Sequence, residues 1–307
     1  MPKINISRSI EIKASASTVF SLLNNFDKWK EWSPWIVIEP DATVTVAEGK
    51  KYFQWQGKRI GSGNMKILSE RENEYVDCDL NFLKPFKSHA TARFELKTNN
   101  DSVLVTWSMD SQLPFFLFFI KKMMEAYISS DYDRGLNMLK ALSEKGVIPS
   151  KVTVIGKENF QGCKIIGMKS SCNIEVMKTK MSEDFSKTWA FVSKDEGNLA
   201  GEAITLYHKF DLVNDSVTYT SGFTVKKIPT DLPDGLVSEE IPNTSVFTIE
   251  HTGAYTFLGN VWSTLYSMGR NKEFKINKKI PTFEVYLNDP ATTPENELIT
   301  KVCFPIK

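Results

Sequence analysis

The nine residues Pro281-Thr282-Phe283-Glu284-Val285-Tyr286-Leu287-Asn288-Asp289 alternate with the period of a β-strand. Phe283, Val285 and Leu287 fall on one face, and Glu284, Tyr286 and Asn288 on the other. Pro281 opens the strand, where a missing N–H costs least, and Asp289-Pro290 closes it as a turn signal. A carboxylate and a phenol thus share one face of a short strand. On a solvated face the carboxylate is ordinary, since strand carboxylates usually face water. On a face that lines a cavity it can hold a cation or act as a base.

Working outward, this strand ends a pattern that occurs twice. Residues 164–169 read as a strand, and Asn173 can cap a helix running to about residue 194. Val176, Met177, Met181, Phe185, Trp189 and Val192 hold its apolar side. Strands at 204–210 and 216–225 follow, split by the turn Asn214-Asp215. After a loop at 228–235 the order returns: strand 244–251, helix 255–268, strands 282–288 and 298–306. Each unit is β-α-β-β, and Trp189, Tyr207 and Phe223 of the first match Trp262, Tyr286 and Phe304 of the second. Two such units can pair their sheets side by side with both helices on one face, which leaves a groove between them.

The first half reads differently. Residues 4–14 alternate as a strand, and Ser15-Ala16-Ser17 offers N-caps for a short helix. A second short helical or turn segment holds Phe26, Trp29, Trp32 and Trp35 and stops at Ser33-Pro34. Strands are expected near 43–46, 51–56, 60–68, 74–82, 88–96 and 102–110, and a long helix over 122–144, stopped by Gly146 and Pro149. Gly61-Ser62-Gly63 lacks the third glycine of a nucleotide loop and reads as a tight turn or bulge. The run Leu113-Pro114-Phe115-Phe116-Leu117-Phe118-Phe119-Ile120 is expected to be a buried connector packed under the long helix, with a membrane-touching lid as the alternative. A curved antiparallel sheet around one helix leaves room for a cavity.

Bulk properties narrow the function. The 307 residues suit two domains, here 1–147 and 152–307. Apolar content of 41% and charged content of 24% describe an ordinary soluble protein. A formal net charge of +1 and the lack of a long Lys/Arg block argue against nucleic acid as a direct partner. The start lacks a signal-peptide core, and the longest apolar run is far short of the roughly 20 residues a spanning helix needs, so a cytoplasmic protein without membrane insertion is expected. Cys78, Cys163, Cys172 and Cys303, and His89, His208 and His251, show no metal or disulfide spacing. No metal or cofactor is expected.

Two resemblances follow from particular stretches. The opening segment, with Tyr219-Thr220-Ser221-Gly222-Phe223, His251-Thr252-Gly253-Ala254-Tyr255, Trp262 and the terminal Phe304-Pro305-Ile306-Lys307, resembles the GyrI-like (AraC effector-binding) small-molecule-binding domain over about residues 152–307. That resemblance implies that Glu284 projects into a ligand pocket. Where relatives often carry a Thr-Glu or Thr-Asp pair before the last strand, this chain has Thr300-Lys301, which leaves Lys301 as a possible partner for Glu284. Segments 16–20, 26–35, 60–65 and 131–140 resemble the START-like SRPBCC (polyketide cyclase/dehydrase) superfamily of bacterial and other proteins, over most of residues 3–145. Together they imply an α+β chain, a helix-grip domain followed by a tandem β-α-β-β domain.

The function these features imply is small-molecule binding. A carboxylate among aromatics welcomes a positive partner, and rings add cation–π contacts. The expected ligand residues are Glu284, Tyr286, Trp262, Trp189, Tyr207 and His208, and the expected ligand is a hydrophobic or cationic aromatic molecule, sensed or sequestered. GyrI-like transcription regulators carry a helix-turn-helix domain, and with the first half here occupied by a different fold, no direct DNA binding is expected and any regulation is expected to pass through a protein partner. The alternative is a hydrolase of electrophilic small molecules, as some GyrI-like relatives are, with Glu284 as general base and Tyr286 and Trp262 orienting the substrate.

Overall fold

The computed structural model describes residues 3–307 and divides at Pro149/Ser150 into two units. In the first, alternating side chains build β1 (Lys3–Ile12), and Ser15 caps α1 (Ala16–Leu23) by accepting the Thr18 N–H at 3.1 Å. α2 (Trp29–Trp32) follows, then β2 (Thr43–Val46), β3 (Tyr52–Gln56), β4 (Ser62–Arg71), β5 (Tyr75–Lys84), β6 (Ser88–Asn99) and β7 (Ser102–Gln112). These pair antiparallel in the order β1-β7-β6-β5-β4-β3-β2. The last element is the helix α3 (Lys121–Lys145), ended by Gly146 at φ +70°.

Val103, Val105, Trp107 and Met109 alternate inward on β7, and Tyr132, Leu136 and Leu139 share the buried face of α3. Tyr132 stacks on Trp107 with ring centroids 3.8 Å apart. Gly135 permits this approach, since a Cβ there would lie 2.9 Å from the Trp107 ring and 3.0 Å from Pro34. Trp29 and Trp32 are buried against Phe94 and Trp107, while Trp35 donates its indole N–H to Asp131 at 2.9 Å. Gly61 takes φ +69°, and the β4–β5 ladder shifts register beside it at Ser62/Gly63.

One expectation in this unit fails. The segment after β7 is a short 3₁₀ turn, Phe115–Ile120, and it is not packed under the helix. Only Leu113 is buried; Phe115, Phe116, Phe118 and Phe119 are 76%, 70%, 61% and 69% exposed. The space beneath the helix is already taken by Trp29, Trp32, Phe94 and Trp107, packed against Tyr132.

The second unit begins with β8 (Ser150–Phe160) and β9 (Cys163–Cys172), followed by α4 (Met177–Val192), β10 (Leu199–Asp211) and β11 (Ser216–Val225). Then come β12 (Leu236–Ile241), β13 (Thr244–Gly253), α5 (Leu258–Arg270), β14 (Thr282–Tyr286) and β15 (Ile299–Pro305). The eight strands are ordered β12-β9-β11-β10-β14-β15-β13-β8. The two β-α-β-β units therefore join at β10 and β14, and each receives an edge strand from the start of the other repeat: β8 pairs with β13, and β12 with β9. These edge strands are additions to the expected order. The tight connections β8–β9 and β12–β13 touch, because a Cβ on Gly162 (φ +77°) would lie 2.7 Å from the Ile241 carbonyl. The side of the sheet away from the helices closes over Ile165, Ile204, Leu206, Ile241, Val246, Phe283 and Cys303.

On the helix side α4 covers β9 and β11, and α5 covers β13 and β15. The central strands β10 and β14 lie under the gap between the helices. Beside α5, His251 sits fully buried within β13, not at its end, and its Nε2 lies 2.9 Å from Ser150 Oγ. Burial pushes its pKa down to about 4. An unfolded chain titrates this ring near 6.5, so between those values acid protonates only the unfolded chain. Stability present above pH 6.5 is lost as pH falls toward 4, by up to about 3 kcal/mol. Hydrogen exchange of β13 and β15 amides will show this loss, and His251→Gln will flatten it; an equally steep profile in the variant would clear His251 of the effect.

Candidate ligand-binding site

Strand alternation places Glu284 and Tyr286 on the helix side and Phe283 and Val285 on the other. Glu284 is 2% exposed. Its Oε1 accepts the Trp262 indole N–H from α5 at 2.5 Å. Its Oε2 accepts the hydroxyls of Tyr286 on its own strand, at 2.5 Å, and of Tyr207 on β10, at 3.0 Å. Burial raises the Glu284 pKa above the ordinary carboxylate range, opposed by these three donors. The same burial, with the carboxylate beside them, raises Tyr207 and Tyr286 well above the usual phenol range. All three donors are neutral, so the negative charge of an ionised Glu284 is solvated and not balanced.

The carboxylate occupies a symmetric position. Glu284 pairs directly across the β10–β14 ladder with Thr205, and Tyr286 and Tyr207 each stand two residues further along their strands. Trp262 is the fifth residue of α5, and the fifth residue of α4 is Met181, not Trp189. Met181 Sδ lies 3.8 Å from both Thr205 Oγ1 and the Tyr286 hydroxyl. The Trp262–Glu284 pair of one half is thus answered by Met181–Thr205 in the other. The sequence match of Trp189 with Trp262 is two helical turns out of step, because both helices carry aromatic residues at several inward positions.

Residues 155–307 match the family model of the GyrI-like small molecule binding domain. Residues 3–144 match that of polyketide cyclase/dehydrase and lipid transport proteins. The chain is a polyketide cyclase-type domain followed by a GyrI-like domain. A comparison with curated proteins finds no match. Among solved structures, the chain is similar to the EcmrR C-terminal domain, at 16% identity over 52% of this chain and 99% of that one, with a TM-score of 0.41. It is similar to EcmrR in a DNA complex, at 16% over 62% and 69%, with a TM-score of 0.41. It is similar to the protein XoxI from Bacillus cereus, at 17% over 46% and 95%, with a TM-score of 0.36. Likenesses this slight say nothing of this chain's ligand or partner.

Within the GyrI-like domain the structure brings Glu284, Tyr286, Trp262 and Tyr207 together and sets the other expected residues apart. Trp189 is half-exposed at the outer end of a run of rings, from Trp189 to Phe223 (5.2 Å), Phe185 (5.7 Å) and Tyr286 (5.7 Å). His208 sits at a bulge in β10, within reach of Thr220 Oγ1 at 2.8 Å and Glu239 Oε1 at 3.4 Å, away from Glu284. Lys301 does not partner Glu284. It pairs in register with Val285, which points away from the helices, and its Nζ lies 3.9 Å from Glu158. Tyr255, whose ring lies 5.7 Å from Tyr286, was not among the ligand residues expected from the sequence, and neither were Thr205 and Phe185. Burial and the nearby Glu284 push the Tyr255 phenol up to about 12. The cue for Thr205 lay in the repeat, once aligned on Tyr207 and Tyr286.

No group of three or more His, Cys, Asp or Glu side chains among the described residues is placed to hold a metal ion. What the arrangement can do is hold one negative charge under a partly exposed aromatic gallery. Each donor to a buried carboxylate is worth about 1.5–3 kcal/mol. Tyr207→Phe and Tyr286→Phe are therefore each expected to destabilise the GyrI-like domain by that amount and to raise the Glu284 pKa further. Thermal unfolding and carboxylate NMR titration will read both. Variants with an unchanged titration would separate the phenols from the ionisation of Glu284.

Proposed function

We propose that the GyrI-like domain binds a cationic or amphipathic aromatic small molecule over Glu284 and thereby senses or sequesters it. One observation supports this reading: the Glu284 carboxylate is buried with three neutral donors and, among the described residues, no cationic partner. At an effective dielectric near 20, a ligand cation about 5 Å away gains roughly 3 kcal/mol before its own desolvation is charged. Tyr286, Tyr255, Phe185 and Trp262 offer ring faces to a planar ligand, at about 0.5–2 kcal/mol per cation–π contact. A formal net charge of +1 gives little attraction to nucleic acid, and in this reading any regulatory output passes to a protein partner.

A second reading, hydrolysis of an electrophilic small molecule, is favoured by the raised pKa of Glu284, which moves a carboxylate toward the range of a general base. It requires the carboxylate to exchange one phenol for a water. Calorimetry with a planar aromatic cation and its neutral isostere distinguishes the two. In the binding reading Glu284→Gln weakens the cation by about tenfold or more and the isostere by less than about threefold. No electrophile is turned over. Equal losses for both ligands would remove the charge from the argument, and wild-type turnover that stops in Glu284→Gln would establish the hydrolase.

A further inference from the structure

The exposed phenylalanines of the first unit call for a partner, and their charged neighbours indicate which. Register brings two segments to the same end of the sheet. The β6–β7 ladder ends at Ala90↔Ser111, and β5 turns into β6 with Phe82↔Ser88. The β5–β6 connection therefore lies beside the chain as it leaves β7. Leu83 and Phe86 of that connection are 48% and 43% exposed, and Lys84 and Lys87 beside them are exposed as well. On the other segment Phe115, Phe116, Phe118 and Phe119 run directly into Lys121, Lys122 and Met123.

The composition of this rim is one-sided. Between Asp110 and Glu125 there is no acidic residue, and between Asn81 and His89 there is none. Lys84, Lys87, Lys121 and Lys122 thus flank seven exposed apolar side chains, Met123 included. Of these four, Lys121 alone pairs with an acidic side chain among the described residues, Glu125 Oε1 at 3.6 Å. Phenylalanine rings with adjacent lysines suit the boundary between lipid headgroups and acyl chains, where the rings leave water and the ammonium groups meet anionic headgroups. A protein partner of equal fit would have to supply both an apolar socket and acidic residues.

We propose that residues 83–87 and 115–123 form a docking surface for an anionic lipid bilayer. The contact is peripheral, since no helix among the described residues is long and apolar enough to cross a membrane. It rests on the first unit alone and is independent of the ligand reading for Glu284.

The test is co-sedimentation of the full chain with vesicles of phosphatidylcholine alone and of phosphatidylcholine with phosphatidylglycerol. Binding is expected to the anionic vesicles and to fall at least about tenfold when salt is raised from 0.05 to 0.5 M. Phe116→Ser/Phe119→Ser and Lys121→Glu/Lys122→Glu are each expected to abolish it. These side chains are exposed, so both variants should keep the wild-type circular dichroism. Failure to bind anionic vesicles, or equal binding by wild type and both variants, overturns the proposal. So does sedimentation equilibrium showing that the phenylalanines mediate a dimer while vesicles stay unbound.

Discussion

A carboxylate taken out of water must be held, and the second half of this chain is arranged around that requirement. Of the three groups that hold Glu284, Tyr286 and Trp262 come from its own half, on β14 and α5, and Tyr207 comes from β10 of the other half, 77 residues away in sequence. Tyr207 reaches the carboxylate because the two halves of the GyrI-like domain join strand to strand at β10 and β14, with Thr205 opposite Glu284. The hydrogen bonds offset much of the desolvation, yet they bring no positive charge. The domain therefore carries an unmet electrostatic demand beneath rings that remain partly exposed. The asymmetry of the repeat matters here: with Thr205 and Met181 in the matching positions, the site has one carboxylate and not two.

The edge strands show how the fold secures this junction. β8 and β12 each cross to the opposite half, so neither half has a complete sheet without the other. Their connections touch at Gly162 and Ile241, and Ile241 joins the apolar cluster on the side away from the helices. The helices cover the outer strands, α4 over β9 and β11 and α5 over β13 and β15, and leave the central pair β10 and β14 between them.

Much of this was legible in the sequence. Alternation at Phe283–Tyr286 was enough to predict that Glu284 and Tyr286 share a face, and repeated β-α-β-β patterning was enough to predict paired halves. What escaped was long-range. β8 has exposed residues along its length and a glycine at 156, so no apolar stripe announces a strand. His208 was expected as a ligand contact alongside Tyr207, but neighbours on a strand point to opposite faces, and a bulge sits there as well. Lys301 failed for the same reason of parity. The phenylalanine run of the first unit read as core because hydrophobicity alone does not reveal which side chains find partners; in the structure the space beneath the long helix is already filled by Trp29, Trp32, Phe94 and Trp107 against Tyr132.

In the proposed function, ionised Glu284 attracts a cation. The most direct test of this attraction is the pH dependence of affinity for a permanently charged aromatic cation, with the neutral isostere as reference. A carboxylate with a raised pKa gives a defined sign. Affinity relative to the isostere should fall about tenfold per pH unit as pH drops through the raised pKa, and level off above it. The break should lie above the ordinary carboxylate value near 4.3. A ratio that stays flat from pH 4 to pH 8 would contradict the account, because binding would then be indifferent to the charge on Glu284.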